Sequence, residues 1–462
     1  MMGLPHIPPA RPVADGMPLM GSAGPLMRDP LRFFLEQYLD KGPVYEVHAA
    51  GRSYVILAGP EANAFFRRHA STHFDGAPIY APYAQDIGSD HVLVGMEGDA
   101  HQALRKSLQP AFAMKALESR FPSMLAQLRS DVAALGADVP FPVRHTLGSW
   151  AAQAAGITMT GCPFHGSMRK LSRFAHIFLG AGVGGFPEFM RHLPSYRRAR
   201  RAGLAFLRKH LLHAEGGASA PLVKALRQHR KTDGQGLSER DLLANLHMPY
   251  TNSFVYVGAL AGFLLHFLLR HPAALAQFRS RYVQLAGSGR TPDARALLAD
   301  PFLSACLQET QRLQPISLSA PRVAARDFVF QGHVIRKGEA LLIATAVTHY
   351  LPEFHTDPEQ WKPERFMETG TGTSGKANWS GPVGTPPEAF VPFGLDGHRC
   401  IAAPLVRLLT LTMVGELLSA GELTDTRTGD VPLKVAPFPT VDAQWKVHFQ
   451  RHHSGNAAPI GT

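Results

Sequence analysis

The stretch 251-TNSFVYVGALAGFLLHFLL-269 carries no formal charge over 19 residues and runs straight into Arg270-His271-Pro272. A run of that length and character has two homes: a membrane span, or a helix enclosed by protein on every side. Thr251, Asn252, Ser253 and His266 are poor groups to set against lipid, and no second span is evident beside it. The run therefore reads as the central helix of a large globular core. Ser238-Glu239-Arg240-Asp241 fits a capping box that would open this helix well before the run begins.

The rest of the chain is organised around that helix. Residues 1–29 are Pro- and Gly-rich and expected to be extended, and 30-PLRFFLEQYLDKG-42 has helical spacing and stops at Gly42. Next, 44-VYEVHAAGRSYVILAGP-60 reads as two strands joined at Ala50-Gly51. From Pro60 to about Leu269 the pattern is mostly helical, and 328-FVFQGHVIRKGEALLIAT-345 reads as short strands with Gly turns. A loose loop over 369–389 precedes a final helix, and 451–462 forms a flexible tail. The fold class is mainly α with small β-sheets. Length alone, at 462 residues, would suggest two or three domains.

Lys and Arg number 47 against 36 Asp and Glu, a net charge of +11. That balance favours an acidic partner, an anionic membrane surface or nucleic acid. Much of it sits in 197-RRARRAGLAFLRKHLLH-213, a basic amphipathic helix whose polar face is either solvated or a contact surface. Few aromatic residues interrupt it, which disfavours nucleic acid. The three cysteines, Cys162, Cys306 and Cys400, are odd in number and widely spaced. They suggest neither a disulfide framework nor a zinc site, and they suit a reducing cytoplasm. The first thirty residues lack an unbroken apolar core, so neither a signal peptide nor an N-terminal anchor is expected.

Cys400 stands in 390-FVPFGLDGHRCIAAPLVRLL-409, just before the apolar run 401–418. A helix N-terminus there would set free N–H groups and a positive dipole end beside the sulfur, with Pro404 tolerated in the first turn. Phe393 and Gly394 would turn tightly over it, and His398 and Arg399 would add positive potential. A shielded thiolate of this kind can ligate a soft metal or haem iron. A lone cysteine can equally be a buried, inert core residue.

The wider pattern resembles the cytochrome P450 superfamily. Its signature, Phe-Gly-x-Gly-x-(His/Arg)-x-Cys-x-Gly, is met at Phe393, Gly394, His398 and Cys400, with Asp396 and Ala402 in place of two glycines. In the family's order come 97-EGDAHQALRKSLQPAF-112, 309-ETQR-312, 320-APRVA-324 and 363-PERF-366. The resemblance covers roughly residues 8–450 and implies one large helical domain spanning 1–462. It implies haem b, with Cys400 on the iron and Phe393 and Gly394 shielding the sulfur. His101, Arg105, Arg322 and His398 would hold the propionates, and Glu309, Arg312 and Arg365 would form a structural network. It further implies monooxygenation of a lipophilic substrate such as a terpene, steroid, polyketide or fatty acid. The pocket would draw on 74–94, 174–190 and Asn252–Tyr256. No dinucleotide fingerprint is visible, so a separate ferredoxin or flavodoxin, with its reductase, would deliver electrons near Arg399 and Arg407.

One departure stands out. Counting back from Arg270-His271-Pro272, the family's acid–alcohol pair falls on Val255 and Tyr256. Asn252, Ser253 and Tyr256 with ordered water are the substitute catalytic groups expected here, or Thr251 if Pro249 breaks the helix and shifts its register. The gap leaves two alternatives: a peroxygenase, isomerase or dehydratase of the same fold working without external electrons, or a non-catalytic haem ligand binder.

Overall fold

The computed structural model describes residues 10–452 apart from 15, 17–20, 50, 137–138, 165, 183–187, 212–219, 287–291, 368–380, 396, 426, 428–432 and 435–438. The uncharged run lies within helix Glu239–Arg270, most of it enclosed by protein. The capping box is present: the Asp241 N–H donates to Ser238 Oγ at 3.2 Å, and the Ser238 N–H donates to Asp241 Oδ2 at 2.9 Å. Pro249 does not break the helix, because it falls in the first turn of the segment Met248–Asn252, where its missing N–H is tolerated. What departs from α geometry is the next turn, Ser253–Val257, a π-helix in which the Gly258 N–H reaches the Ser253 carbonyl. Helix Ala403–Ala420 is a second element long and apolar enough to cross a membrane, one the sequence reading did not anticipate; it too is mostly buried.

These helices pack with Val143–Thr160 into one apolar cluster drawing on residues from Leu93 to Phe449. Phe263, Leu264, Leu265 and Leu268 meet the same cluster as Met413, Val414 and Trp445, all fully enclosed. Each such side chain contributes about 1.5–3 kcal/mol by leaving water. Close crossing is set by glycine: a Cβ on Gly258 would lie 2.6 Å from Gly148 Cα, so the two backbones touch.

A five-stranded sheet flanks the helical mass in the order Val44–Ala49, Arg52–Ala58, Ala340–Ala344, Ala320–Ala324, Phe74–Asp75. The first two strands form the expected hairpin, and Val55 to Ala58 run parallel to Leu341 to Ala344. Arg322 sits opposite Leu341, on the strand beside Phe74–Asp75. Two expectations are corrected. The N-terminal 1–29 is not extended throughout, since Ala23–Arg28 is helical with Pro25 in its opening turn. The chain also does not finish on a helix: Lys446–Arg451 is the middle strand of a small sheet, paired with Gly421–Asp425 on one side and Phe141–Pro142 on the other. Phe141–Pro142 is distant in sequence, so no local pattern announces that pairing. Residues 453–462, the expected tail, and most of the loop 369–389 lie outside the described residues.

Three fully enclosed histidines are held neutral, each because burial disfavours the charged ring: His247 is pushed down to about 4, and His349 and His355 to about 3. The unfolded chain takes up these protons near the ordinary value of 6.5, so their contribution to stability is complete above that pH and is lost as pH falls towards 4. Acid titration of the unfolding free energy is expected to lose roughly 1 kcal/mol per pH unit for each histidine. His349→Asn is expected to flatten the profile; an unchanged slope in that variant would remove His349 from the account.

Candidate active site

Cys400 is the accessible cysteine, while Cys162 and Cys306 are buried. Its N–H donates to the Phe393 carbonyl at 2.8 Å, closing the loop over the turn at Gly394, whose φ of +86° favours glycine. Helix Ala403–Ala420 starts just beyond, with Pro404 in its first turn. Dense surrounding protein raises the thiol, burial outweighing the Ala402 N–H, Arg105 and Arg407, which all pull it down. Among the cations acting on it are Arg105 and Arg407. Arg407 lies 6.0 Å over the Phe393 ring and is itself pushed down to about 10 by burial. Asp396 lies outside the described residues.

The expected propionate-binding groups converge beside this loop. His101 and Arg105 lie one turn apart on helix Gly98–Leu108. Arg105 Nη2 donates to the Arg399 carbonyl at 2.8 Å, joining that helix to the residue before Cys400. The buried His101 ring stacks on His398 with centroids 3.9 Å apart. His398 Nε2 meets Glu97 Oε2 at 2.9 Å, and Glu97 Oε1 accepts from the Gly76 N–H at 2.8 Å. Burial raises the Glu97 carboxyl, but His398, the Gly76 N–H and Arg322 outweigh it and hold it below the usual range. Arg322 is buried, with its guanidinium 5.4 Å from the Phe66 ring. Glu97 was missed as a site residue, although it precedes His101 by one helical turn in the sequence.

Behind the loop, Glu309 and Arg312 are wholly enclosed, on helix Pro301–Leu313. Arg312 donates to both Glu309 oxygens at 2.7 and 2.8 Å and to the carbonyls of His349, Pro358 and Gln360. Arg365 Nε and the Lys362 N–H add bonds to Glu309 Oε1 at 3.0 and 2.9 Å. His349, also missed, extends the network: its Nδ1 faces the Arg312 carbonyl at 3.3 Å and its Nε2 accepts from the Val391 N–H at 2.8 Å. Val391 begins the run to Phe393 and Cys400, so the buried ion pair reaches the cysteine loop through one neutral imidazole.

The three expected pocket segments meet in one apolar cluster. Tyr83, Ile87 and Val92 share an apolar cluster with Phe174, Phe178 and Leu179 and with Phe254 and Val255. Residues 183–187, the Gly-rich middle of the second segment, lie outside the described residues. On the long helix, Phe254 and Gly258 face Val143–Thr160, and Asn252 and Tyr256 are half-buried. Asn252 Oδ1 is buried without a partner. Burial, with Tyr80 nearby, raises the Tyr256 phenol well above its ordinary value. Ser253 is buried in the π turn. Thr251 is buried and engaged by His247, whose Nδ1 lies 3.1 Å from Thr251 Oγ1 and whose Nε2 lies 3.0 Å from the Tyr83 hydroxyl. Helix Ala77–Ile87 is pinned by Asp86, which accepts from Arg191, Arg200 and Tyr196 at 3.1, 2.6 and 2.5 Å.

The donor set suits an iron porphyrin. A single accessible thiol, able to bind as thiolate, suits its metal, and two guanidinium and two imidazole groups, with Glu97 acting on His398 and Arg322, suit a pair of carboxylates. The comparisons agree. The sequence profile of the cytochrome P450 family matches residues 217–440. Abscisic acid 8'-hydroxylase 3 of Oryza sativa subsp. indica is 23% identical over 440 residues, covering 93% of this chain and 84% of that protein. Sterol 14alpha-demethylase of Mycobacterium bovis is 26% identical over 392 residues, covering 81% and 83%. The retinoic-acid-bound cyanobacterial CYP120A1 superposes with a TM-score of 0.79 at 22% identity, covering 97% of this chain and all of that one.

Removing one partner of an enclosed ion pair strands the other. Arg312→Ala is therefore expected to cost about 3–5 kcal/mol, measured by denaturant unfolding. Arg365→Ala, which leaves Arg312 on Glu309, is expected to cost less. Equal losses would place the strain elsewhere.

Proposed function

We propose, from the premise that this chain belongs to the cytochrome P450 family and is a haem-dependent monooxygenase, that its substrate is a lipophilic small molecule of the terpene, steroid, polyketide or fatty-acid class. The observation that carries this reading is the accessible Cys400 thiol, joined through Arg105 to the cationic niche, together with the apolar walls formed by Tyr83, Phe174, Phe178 and Val255. Relatives named for abscisic acid and sterols agree with a lipophilic substrate. Haem b is the proposed cofactor, with Cys400 as its protein ligand, His101, Arg105, Arg322 and His398 on its carboxylates, and Phe393 and Gly394 beside the sulfur. When bound, it supplies the activation of dioxygen with two electrons and the transfer of one oxygen atom.

The chain's own residues do the rest. Aromatic walls exclude water and orient the substrate. Glu309, Arg312 and Arg365 hold the backbone that carries the cysteine. Tyr256 keeps its phenolic proton at neutral pH, because burial opposes the anion, and can lend it in a hydrogen bond. Asn252 offers its carboxamide one turn earlier, and Ser253 is the remaining alcohol of that turn. Electrons are proposed to come from a cytoplasmic ferredoxin or flavodoxin with its reductase. Arg399 is exposed and suits docking, whereas Arg407 is drawn in over Phe393. The second reading is turnover without external electrons, by a peroxygenase, isomerase or dehydratase. It is favoured by Val255 and Tyr256 standing where an acid–alcohol pair would be and by Thr251 being engaged with His247.

Turnover is expected with NAD(P)H, reductase and ferredoxin or flavodoxin; product from hydrogen peroxide alone would select the second reading, and spectral ligand binding without product in either assay would leave a binder. Tyr256→Phe is expected to lower turnover on the order of a hundredfold, the smaller end of general acid contributions, with haem content unchanged. A rate within error of the parent would pass proton delivery to Asn252 and water. Arg399→Glu is expected to slow reduction steeply at low salt and little at high salt; equal rates at both salts would move the docking face away from Cys400.

A further inference from the structure

Helix Pro60–His73 closes on two histidines one turn apart, His69 and His73. A spacing of four sets them on one face, and their ring centroids lie 4.9 Å apart. Both are half-buried. An aromatic rack holds them. Phe65, one turn further back, packs at 4.5 Å on His69 and 5.6 Å on His73, and Phe328 meets His73 edge-on at 5.1 Å. The hydrogen bonds fix which nitrogen His73 offers. The Thr72 hydroxyl donates its one proton to the His69 carbonyl at 3.2 Å, so it accepts from His73 Nδ1 at 2.8 Å. Nδ1 therefore carries the ring proton, and Nε2 keeps a bare lone pair. Among the described residues, His73 Nε2 and both ring nitrogens of His69 make no hydrogen bond. Burial first, then His69 and Arg326, hold the His73 ring below its ordinary value, so it is neutral at neutral pH.

We infer that His69 and His73 form a binding site for a divalent transition-metal ion of the copper, nickel or zinc type. Two neutral imidazoles four residues apart on one helix face are a chelating pair. An imidazole whose other nitrogen is committed to an outer partner has its ligating nitrogen oriented in advance, which is what Thr72 does for His73. The donor set decides the class of ion. Nitrogen without carboxylate or thiolate suits these borderline ions, whereas magnesium and calcium call for oxygen. Water completes the coordination on the open side. Arg326 opposes a cation here, while the negative end of the helix dipole favours one. Ring packing on Phe65 and Phe328 does not account for the arrangement, since packing needs neither a set tautomer nor open nitrogens. The ion would brace a junction of the fold. The His73 carbonyl accepts from the Ala325 N–H at 2.9 Å, and the next residues, Phe74–Asp75, pair with the strand that carries Arg322. The folded helix holds the two rings one turn apart and the unfolded chain does not, so binding stabilises the fold.

The test is calorimetric titration of the full, haem-loaded chain with Ni²⁺ and with Zn²⁺, beside Mg²⁺. A strong equivalent is expected with Ni²⁺ and Zn²⁺ and none with Mg²⁺, together with a rise in unfolding temperature at saturation. His69→Gln and His73→Gln are each expected to remove that equivalent and the rise. Thr72→Val keeps both imidazoles but leaves Nδ1 without its partner. It is expected to weaken binding about tenfold, the lower end for an outer partner of a metal ligand, and Thr72→Ser is expected to bind like the parent. An unchanged haem spectrum shows that each variant is folded. The inference is overturned if no strong equivalent appears, if both histidine variants retain it, or if Mg²⁺ binds as well as Ni²⁺ and Zn²⁺.

Discussion

A guanidinium and a carboxylate with no access to water have one stable solution: each must be answered completely by protein. Arg312 and Glu309 reach it by drawing on the carbonyls of His349, Pro358 and Gln360, the Lys362 N–H and Arg365. The segments that supply those groups can occupy only positions that satisfy the pair, so a long stretch without regular helix is fixed by electrostatics as firmly as the core is by packing. His349 passes the constraint to Val391, and the Phe393 carbonyl passes it to the Cys400 N–H. The cysteine is therefore placed from behind by a buried charge, while its own helix begins only after it.

The same logic of unequal charge shapes the other side of the loop. Glu97 gathers His398, the Gly76 N–H and Arg322 and draws helix Gly98–Leu108 against the strand that carries Arg322. The thiol, by contrast, is raised by burial despite Arg105 and Arg407. Without a metal it stays protonated at neutral pH, and a bound cation is what would remove its proton. A site built in this way favours a ligand bearing both a metal and carboxylates over a free anion or a simple ion.

Much of this was legible in the sequence because it rests on short-range patterns. The hairpin of residues 44–58, the box at Ser238 and Asp241, and the helix ended by Gly42 each follow from local chemistry. Cys400, His101, Arg105, Arg322, His398 and the Glu309 network were located by their motifs, and the fold brings them together. What was illegible depends on groups that meet only in three dimensions. Glu97 and His349 sit inside stretches already singled out, yet nothing local says that one will pair with His398 and the other with Val391. The π turn leaves no mark in composition, and the engagement of Thr251 by His247 depends on Tyr83 arriving from a distant helix. The last strand, Lys446–Arg451, escaped in part because one partner, Phe141–Pro142, lies far away in the sequence.

The central claim is that the sulfur of Cys400 is the protein ligand of a haem iron. The most direct measurement is the absorption spectrum of the reduced, carbon-monoxide-bound protein, taken beside Cys400→His. The parent is expected to give a thiolate-type band that Cys400→His lacks while retaining haem. A folded parent that takes up no haem, or one whose spectrum is that of imidazole-ligated iron, would contradict the claim.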